Sequence, residues 1–153
     1  RTDSPMVLQL LIGSALLAAT ALLASMSWML LEMVLRRTHP WIIHPPYGLK
    51  LAAVLLVAML WVLCMMTLSI WIWAVVFWRL DVFESFEGAV YFALVAFTTL
   101  GFGDVLLPQP WRLLGGLAAA NGLMIFGFLT AMLVETLRQT RYRQLGPVGQ
   151  DDD

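Results

Sequence analysis

The fold is decided by one segment, which reads Tyr91-Phe92-Ala93-Leu94-Val95-Ala96-Phe97-Thr98-Thr99-Leu100-Gly101-Phe102-Gly103-Asp104. It lies almost wholly within the uncharged stretch Gly88–Gly103. That stretch is shorter than the roughly 20 apolar residues that a helix needs to cross the hydrocarbon core of a bilayer. Irregular backbone survives at membrane depth only where it is buried in protein or lines water. We therefore interpret the stretch as a re-entrant element and expect the function there.

The same region has the pattern of a short helix followed by a row of backbone carbonyls. Ser85 is a candidate N-cap, and apolar residues continue to Phe97, which predicts about three helical turns. The C-terminal end of such a helix carries roughly half a negative charge, which favours a cation. Gly101 and Gly103 alternate with larger residues, so the backbone can alternate its dihedral angles and point successive carbonyls one way. These carbonyls and the Thr99 hydroxyl can replace the water shell of a cation, but a closed ring needs symmetry-related copies.

The composition around this segment is that of a membrane protein. Hydrophobic residues make up 61% of the 153 residues and charged residues 12%, against roughly 45–50% and 25% in soluble domains. These values exclude a soluble globular domain, a disordered chain and a disulfide scaffold, and the net charge of −1 implies no basic surface for nucleic acid. Three segments are long enough to span a membrane: Met6–Leu35, Leu51–Trp78 and Leu113–Val134. The predicted fold class is an all-α membrane protein with three transmembrane helices and a short re-entrant helix.

The first apolar segment has a second interpretation as a cleaved signal peptide, because Ala19-Thr20-Ala21 resembles a cleavage site. The apolar run continues well past that site and exceeds the roughly 7–15 residues of a signal-peptide core, which favours a membrane helix. The segment has no ladder of arginines, so it is not a voltage sensor. We expect it to pack outside the part of the chain that holds the re-entrant element, against the second helix of its own chain or of a neighbour.

The basic residues predict the orientation in the membrane. The linker Arg36–Lys50 and the tail Arg138–Asp153 hold six of the nine Lys and Arg residues, and positive charge favours the cytoplasmic side. The N-terminus is therefore predicted to be extracellular or periplasmic and the C-terminus cytoplasmic, in a multi-pass protein of the cell membrane. The short N-terminal tail leaves another topology open. A cluster of tryptophans near the outer interface fits an aromatic belt: Trp71, Trp73, Trp78 and Trp111.

The segment Thr98–Asp104 resembles the signature filter of potassium channels, T-x-G-[YF]-G-D. The order of elements around it is similar as well, with a membrane helix, an acidic loop, a pore helix, the filter and a final helix over Leu49 to about Leu137. The resemblance implies a homotetramer around one central pore that conducts K⁺ passively. It also implies that Gly103 lies at the outer mouth and that the carbonyls of four residues bind K⁺: Thr99, Leu100, Gly101 and Phe102.

Departures from the family pattern concern the support of the filter. Many members carry a Trp pair where this chain has Tyr91 and Phe92, and many have Tyr where it has Phe102. Val95 replaces a glutamate that some bacterial members place behind the filter. We therefore expect the Tyr91 hydroxyl to bond to Asp104, and a less braced filter that is more prone to inactivation. Four residues form the predicted filter support: Thr98, Asp104, Tyr91 and Phe92.

The last apolar segment contains further candidates for the cavity and the gate. Asn121 is either a cavity-lining amide or a partner in a hydrogen bond between helices. Gly122 and Gly127 belong to a segment that is similar to the glycine region of the family's inner helix, where they provide a bend for gating or a close helix contact. Glu135 forms a ring of carboxylates in a tetramer or an i,i+3 pair with Arg138.

The chain divides into three predicted regions: residues 1–48 with an additional transmembrane helix and a cytoplasmic linker, 49–140 with the pore module, and 141–153 as a cytoplasmic tail. His39 and His44 in the linker are candidates for sensing cytoplasmic pH, and the alternative is that they are ordinary linker residues without this role. No carboxylate pair, nucleophile–base set or metal cluster stands out in the sequence, so we expect no enzyme activity and no cofactor, with K⁺ as the permeant ion. The expected partners are further copies of the chain and membrane lipids. A weakly selective monovalent cation channel and a non-conducting or transporter-associated subunit are the alternative functions.

Overall fold

The computed structural model describes residues 3–37 and 47–145, which are almost entirely helical. The helices are α1 (Asp3–Arg37), α2 (Tyr47–Arg79), α3 (Phe86–Phe97) and α4 (Arg112–Leu145), with a short 3-10 helix at Gln109–Trp111. By length and composition α1, α2 and α4 can cross a membrane, whereas α3 is a shorter apolar helix. The predicted all-α membrane fold is therefore confirmed.

The last helix extends beyond its predicted apolar span. The apolar segment ends at Val134, but α4 continues to Leu145, because the residues between them include good helix formers and neither Pro nor Gly. The boundary predicted between residues 140 and 141 thus falls inside a helix. The linker with His39 and His44, together with residues 146–153, lies outside the described part of the chain.

The additional helix α1 lies mainly against α4 and to a lesser extent against α2. The expectation named the second helix of its own chain or of a neighbour; within the chain α1 does contact α2, but its main contact is with α4. The reason is that one face of α1, which repeats every three or four residues, carries polar and small side chains with partners on α4. A Cβ at Gly13, for example, would overlap Leu117. The buried face consists of Gln9, Gly13, Thr20, Ala24, Ser27, Leu31 and Leu35.

Helix α3 is held between α2 and α4 by small and aromatic residues. Ala89 and Ala93 are fully buried, which lets the helices approach closely. The ring of Phe92 packs edge-on against Phe77 with 5.3 Å between ring centroids, and lies 5.4 Å from the ring of Phe83. Such aromatic contacts add about 0.5–1.5 kcal/mol per pair to the burial of apolar area. Packing against α2 and α4 therefore fixes the position of α3.

One tryptophan of the predicted aromatic belt belongs instead to this core. Trp73 is only 1% exposed, whereas Trp71 and Trp78 are 53% and 43% exposed. Trp71 and Trp78 are seven residues apart and share one face of α2, while Trp73 is two residues from Trp71 and lies on the opposite face. The belt interpretation therefore fails for Trp73, because the helix turns its side chain toward α3 and α4.

Candidate functional site

The short helix α3 begins at a side-chain cap. The backbone N–H of Gly88 donates a hydrogen bond of 3.1 Å to the Ser85 hydroxyl oxygen, and Ser85 itself has extended backbone. Glu87 lies in the first turn, where a negative charge complements the helix dipole. The helix has 12 residues, so the predicted cap and the predicted length are both confirmed.

The same helix ends in a tight reversal at its C-terminus. The Leu100 N–H donates to the Val95 carbonyl at 3.1 Å, and the Thr99 N–H donates to the Ala96 carbonyl at 3.0 Å. This pair of bonds is a Schellman motif, in which the residue at the Thr99 position has left-handed backbone and is usually Gly. Thr99 has φ of 56°, which costs a residue with a Cβ about 1–2 kcal/mol. The chain therefore leaves the helix through a strained residue.

Beyond this reversal the left-handed conformation recurs at every second residue. Thr99, Gly101 and Gly103 have φ values of 56°, 58° and 76°, whereas Leu100 and Phe102 between them do not have positive φ. The alternation was predicted for the two glycines but not for Thr99. The only sequence signal for a positive φ at Thr99 is the position of this residue directly after the last helical turn, and Thr is an unfavourable residue for positive φ. An alternating backbone of this kind can direct successive carbonyls toward one side.

The segment is exposed in the single chain. Leu100 and Phe102 are 55% and 67% exposed, although both are large apolar residues. On α3 the face that leads to the segment is also open, at Tyr91 and Leu94. Large contiguous apolar exposure marks a surface for another protein or for lipid. Helix α3 thus supports one side of the segment, and the other side is exposed.

A hydrogen bond joins α3 to the far end of this segment. The Tyr91 hydroxyl donates to Asp104 Oδ2 at 2.6 Å, so the hydrogen bond predicted from the sequence is present. It spans the segment Thr98–Gly103 and ties the residue after it to the helix before it. Phe92, the next residue, lies about 100° further around α3 and packs among the aromatic rings of the core.

The hydrogen bond also sets the ionisation of its two partners. The bond from Tyr91 lowers the pKa of Asp104 below its ordinary value of 3.8. The same bond raises the pKa of Tyr91 above 10.0, with smaller contributions from desolvation and from the negative charge of Asp104. Both shifts favour the state in which a neutral phenol donates to a carboxylate, so the contact persists over the whole neutral range.

Asn121 lies inside the single chain, with 0% of its surface exposed. A hydrogen bond of 2.8 Å joins the Thr20 hydroxyl on α1 to Asn121 Oδ1 on α4. Of the two interpretations of Asn121, the hydrogen bond between helices is therefore the one present here, and the side chain does not face an open cavity. Sequence reasoning placed no partner at Thr20, because that position carries no signal beyond a polar residue in an apolar helix.

The two glycines of the inner-helix segment have different surroundings. A Cβ at Gly122 would overlap the carbonyl oxygen of Phe97, the last residue of α3, so the backbones of α3 and α4 touch there. A Cβ at Gly127 would meet nothing within 4 Å. Close helix contact thus explains why position 122 is a glycine, whereas the open space around Gly127 gives no such explanation for position 127.

Glu135 pairs within its own helix. Its Oε2 lies 3.4 Å from Arg138 Nε, and its Oε1 accepts a hydrogen bond of 3.0 Å from Gln139 Nε2. The i,i+3 pair is therefore present. Glu135 also borders a cavity of about 200 Å³ that is otherwise lined by apolar residues of α1 and α4.

Two further polar contacts of α1 were missed by sequence reasoning. The Leu114 N–H at the start of α4 donates to Gln9 Oε1 at 3.1 Å, and Trp61 Nε1 on α2 donates to the Ser27 hydroxyl at 2.6 Å. Leu114 is one of the first residues of α4, whose N–H groups have no partner within the helix. A recognisable signal was the presence of Gln9 and Ser27 in an apolar segment, since polar groups in a membrane find partners.

The fold and the site define a multi-pass membrane protein in which a short helix delivers a strained, glycine-containing segment to an open face. Among residues 3–37 and 47–145 no group of three or more His, Cys, Asp and Glu is arranged to hold a metal ion. The model of the family described as "Ion channel" matches residues 52–139, more than half of the chain. The chain belongs to this family. The match begins in α2 and ends in α4, and neither a curated protein nor a solved structure matches the chain.

Proposed function

We propose that this ion channel is selective for K⁺ and that its filter is the segment Thr98–Asp104. The observation that carries the proposal is the alternation of left-handed backbone at Thr99, Gly101 and Gly103. Carbonyls directed to one side can replace the hydration shell of a K⁺ ion, which is the principle of potassium filters. The C-terminal end of α3 lies directly before these carbonyls and adds partial negative charge.

We also infer a homotetramer around a central axis. One chain contributes only one row of carbonyls, so an ion is enclosed only when symmetric copies meet. The exposure of Leu100 and Phe102 supports this, because a filter that is open in one chain becomes covered by its neighbours. In this arrangement Thr99, Leu100, Gly101 and Phe102 bind K⁺, and Gly103 with Asp104 forms the extracellular or periplasmic mouth. Residues 49–140 are the pore module, and α1 is an additional helix outside it.

A weakly selective monovalent cation channel is the second candidate. The Phe102 side chain cannot donate a hydrogen bond. The side-chain hydrogen bonds described for the segment are those from Tyr91 to Asp104 at 2.6 Å and from Thr98 to the Leu94 carbonyl at 2.9 Å. A filter with so little bracing is free to adapt to Na⁺ as well. The backbone at Thr99 instead favours a rigid, K⁺-selective filter, because two backbone hydrogen bonds at the end of α3 hold its strained φ in place.

The test is ion flux through the purified protein in liposomes, followed by reversal potentials in mixed K⁺ and Na⁺. We expect K⁺ flux from the native chain and a strong preference for K⁺. Gly101→Ala should strongly reduce the K⁺ flux, because φ of 58° costs a residue with a Cβ about 1–2 kcal/mol and disfavours the alternating backbone. Gly48→Ala is the matched control, since a Cβ there meets nothing within 4 Å.

The outcomes separate the candidates. Equal permeation of K⁺ and Na⁺ would favour the weakly selective channel. Absence of flux from the native chain would favour a non-conducting subunit. Flux that is unchanged in Gly101→Ala would contradict an ion path along this segment.

A further inference from the structure

Helix α1, which the family match leaves out, contacts the beginning of α4 through three of its buried residues. Gln9 accepts a hydrogen bond from the Leu114 N–H, and the next buried position of the same face, Gly13, touches Leu117. One to two turns further along α1, the Thr20 hydroxyl bonds to Asn121. These contacts all fall on the first three turns of α4, the half of the helix that follows the filter in the chain.

Asn121 and its neighbour face two different helices. Asn121 bonds to Thr20 on α1, while Gly122 has its Cα against the carbonyl of Phe97 at the end of α3. Phe97 is 3% exposed and stands two residues before Thr99, the first strained residue of the filter. A rotation or shift of α4 at Asn121 therefore moves the surface on which the end of α3 rests. Because that surface is backbone, the contact has no flexible side chain to absorb the movement.

The Thr20–Asn121 contact is more than apolar packing would require. Both residues are fully buried, and Asn121 Nδ2 has no hydrogen-bond partner among the described residues. The single Thr20 hydroxyl proton is shared between Asn121 Oδ1 at 2.8 Å and the Leu16 carbonyl of its own helix at 2.9 Å. A buried amide with an unsatisfied donor is costly, and an apolar pair of the same shape would avoid that cost. What the hydrogen bond adds is direction, since it holds the Asn121 side chain, and with it α4, in one orientation relative to α1.

We propose that Thr20 is a positioning residue for the filter, acting through Asn121 and the Gly122–Phe97 backbone contact. Through this path α1 sets the position of the C-terminal end of α3 and, with it, the balance between conducting and non-conducting filter conformations. The proposal rests on the proposed channel function. It assigns to α1 a role in permeation although α1 lies outside the pore module.

The experiment compares single-channel records of the native chain and of Thr20→Val in planar bilayers, with assembly checked by gel filtration. Thr20→Val keeps the shape and removes the hydroxyl. We expect the ratio of open to closed time to change by roughly 2- to 30-fold, the range of coupling energies carried by single residues away from a site. The K⁺/Rb⁺ permeability ratio, which reports on the filter itself, should shift as well. Thr67→Val is the matched control, because the Thr67 hydroxyl is exposed and bonds only to Leu63 of its own helix.

A double substitution tests the path. In an Asn121→Leu background Thr20→Val should have little further effect, since the bond is already absent and the two changes are not additive. Additive effects would show that Thr20 acts independently of Asn121 and would overturn the proposal. So would a Thr20→Val channel that assembles and gates like the native one.

Thr20→Ser and Thr20→Ala give the same contrast if Thr20→Val does not assemble. Thr20→Ser retains the hydroxyl and should stay close to the native open-to-closed ratio, while Thr20→Ala should depart from it. Equal ratios in these two variants would overturn the proposal. A native chain without any K⁺ flux would instead refute the proposed function, so the two failures are distinguishable.

Discussion

Two contacts between oxygen atoms, of similar length, hold this protein in different ways. The Tyr91 hydroxyl of α3 reaches Asp104, the exposed last residue of the segment Thr98–Asp104, at 2.6 Å. The Thr20 hydroxyl reaches Asn121 at 2.8 Å in the fully buried interface of α1 and α4. The first joins residues 13 positions apart, and the second joins residues 101 positions apart. The first includes a carboxylate in contact with water, whereas the second joins two neutral groups in an apolar surrounding.

Because of this difference, we expect the two contacts to respond differently to pH. A polar contact in a dry interior is stronger than one in water, and a neutral pair does not titrate. The Thr20–Asn121 contact is therefore expected to hold at every pH at which the chain is folded. The Tyr91–Asp104 contact depends on the charge of Asp104 and is expected to fail in acid. We therefore expect a response to pH at the Tyr91–Asp104 contact and none at the Thr20–Asn121 contact.

The largest effect should come from the buried side of this comparison, at Gly122. Gly122→Ala places a methyl group against the backbone of Phe97, which cannot give way as a flexible side chain can. We expect a loss of about 1–3 kcal/mol of stability, typical of overpacking, and disturbed gating. Thermal unfolding in detergent measures the first and single-channel recording the second. Gly127→Ala is the control with open space around its Cβ, and equal stability of the two variants would contradict the backbone contact.

A smaller effect is expected on the exposed side, at Tyr91. Tyr91→Phe removes the hydroxyl that bonds to Asp104 and keeps the ring, so the filter should stay open for shorter periods. The pKa of Asp104 should return upward toward 3.8, since the hydrogen bond that lowers it is lost. Open durations that match the native channel would show that this contact does not brace the filter.

The pH dependence follows from the same contact. Because the pKa of Asp104 is lowered in the folded chain, the contribution of this carboxylate is complete above 3.8 and is lost only as the pH falls through the lowered value. We therefore expect constant open durations from neutral pH down to about pH 5 and shorter ones in stronger acid. In Tyr91→Phe the acid-sensitive step should weaken or disappear. An unchanged step in that variant would assign it to another group.

The smallest effect is expected at Glu135. Its pair with Arg138 is largely exposed, with 80% of the Arg138 side chain accessible, and such i,i+3 pairs contribute about 0.2–0.5 kcal/mol. Glu135→Gln should leave K⁺ conductance within the error of the native value in single-channel recordings at low salt. A clear fall in conductance would instead support a ring of carboxylates at the inner end of the pore.

Much of the site could be predicted from local sequence. The cap at Ser85, the length of α3, the glycine alternation and the Tyr91–Asp104 bond all involve residues within about four helical turns of each other, where the chain itself restricts the geometry. The packing of α1 could not be predicted in this way. An apolar helix with a face of small residues fits several neighbours in a membrane, because lipid and protein surfaces are equally apolar.

The sequence by itself determined that this chain spans a membrane with three long helices and that a short helix ends in an alternating, glycine-containing segment, because hydropathy, length and local dihedral preference act within one stretch of chain. Only the tertiary structure decided that Trp73 lies in the core, that Gly122 receives the end of α3 and that Asn121 bonds to Thr20. These depend on which helix faces meet. In a membrane, polar groups and small residues determine which helix faces pack together, and their partners lie far away in the chain.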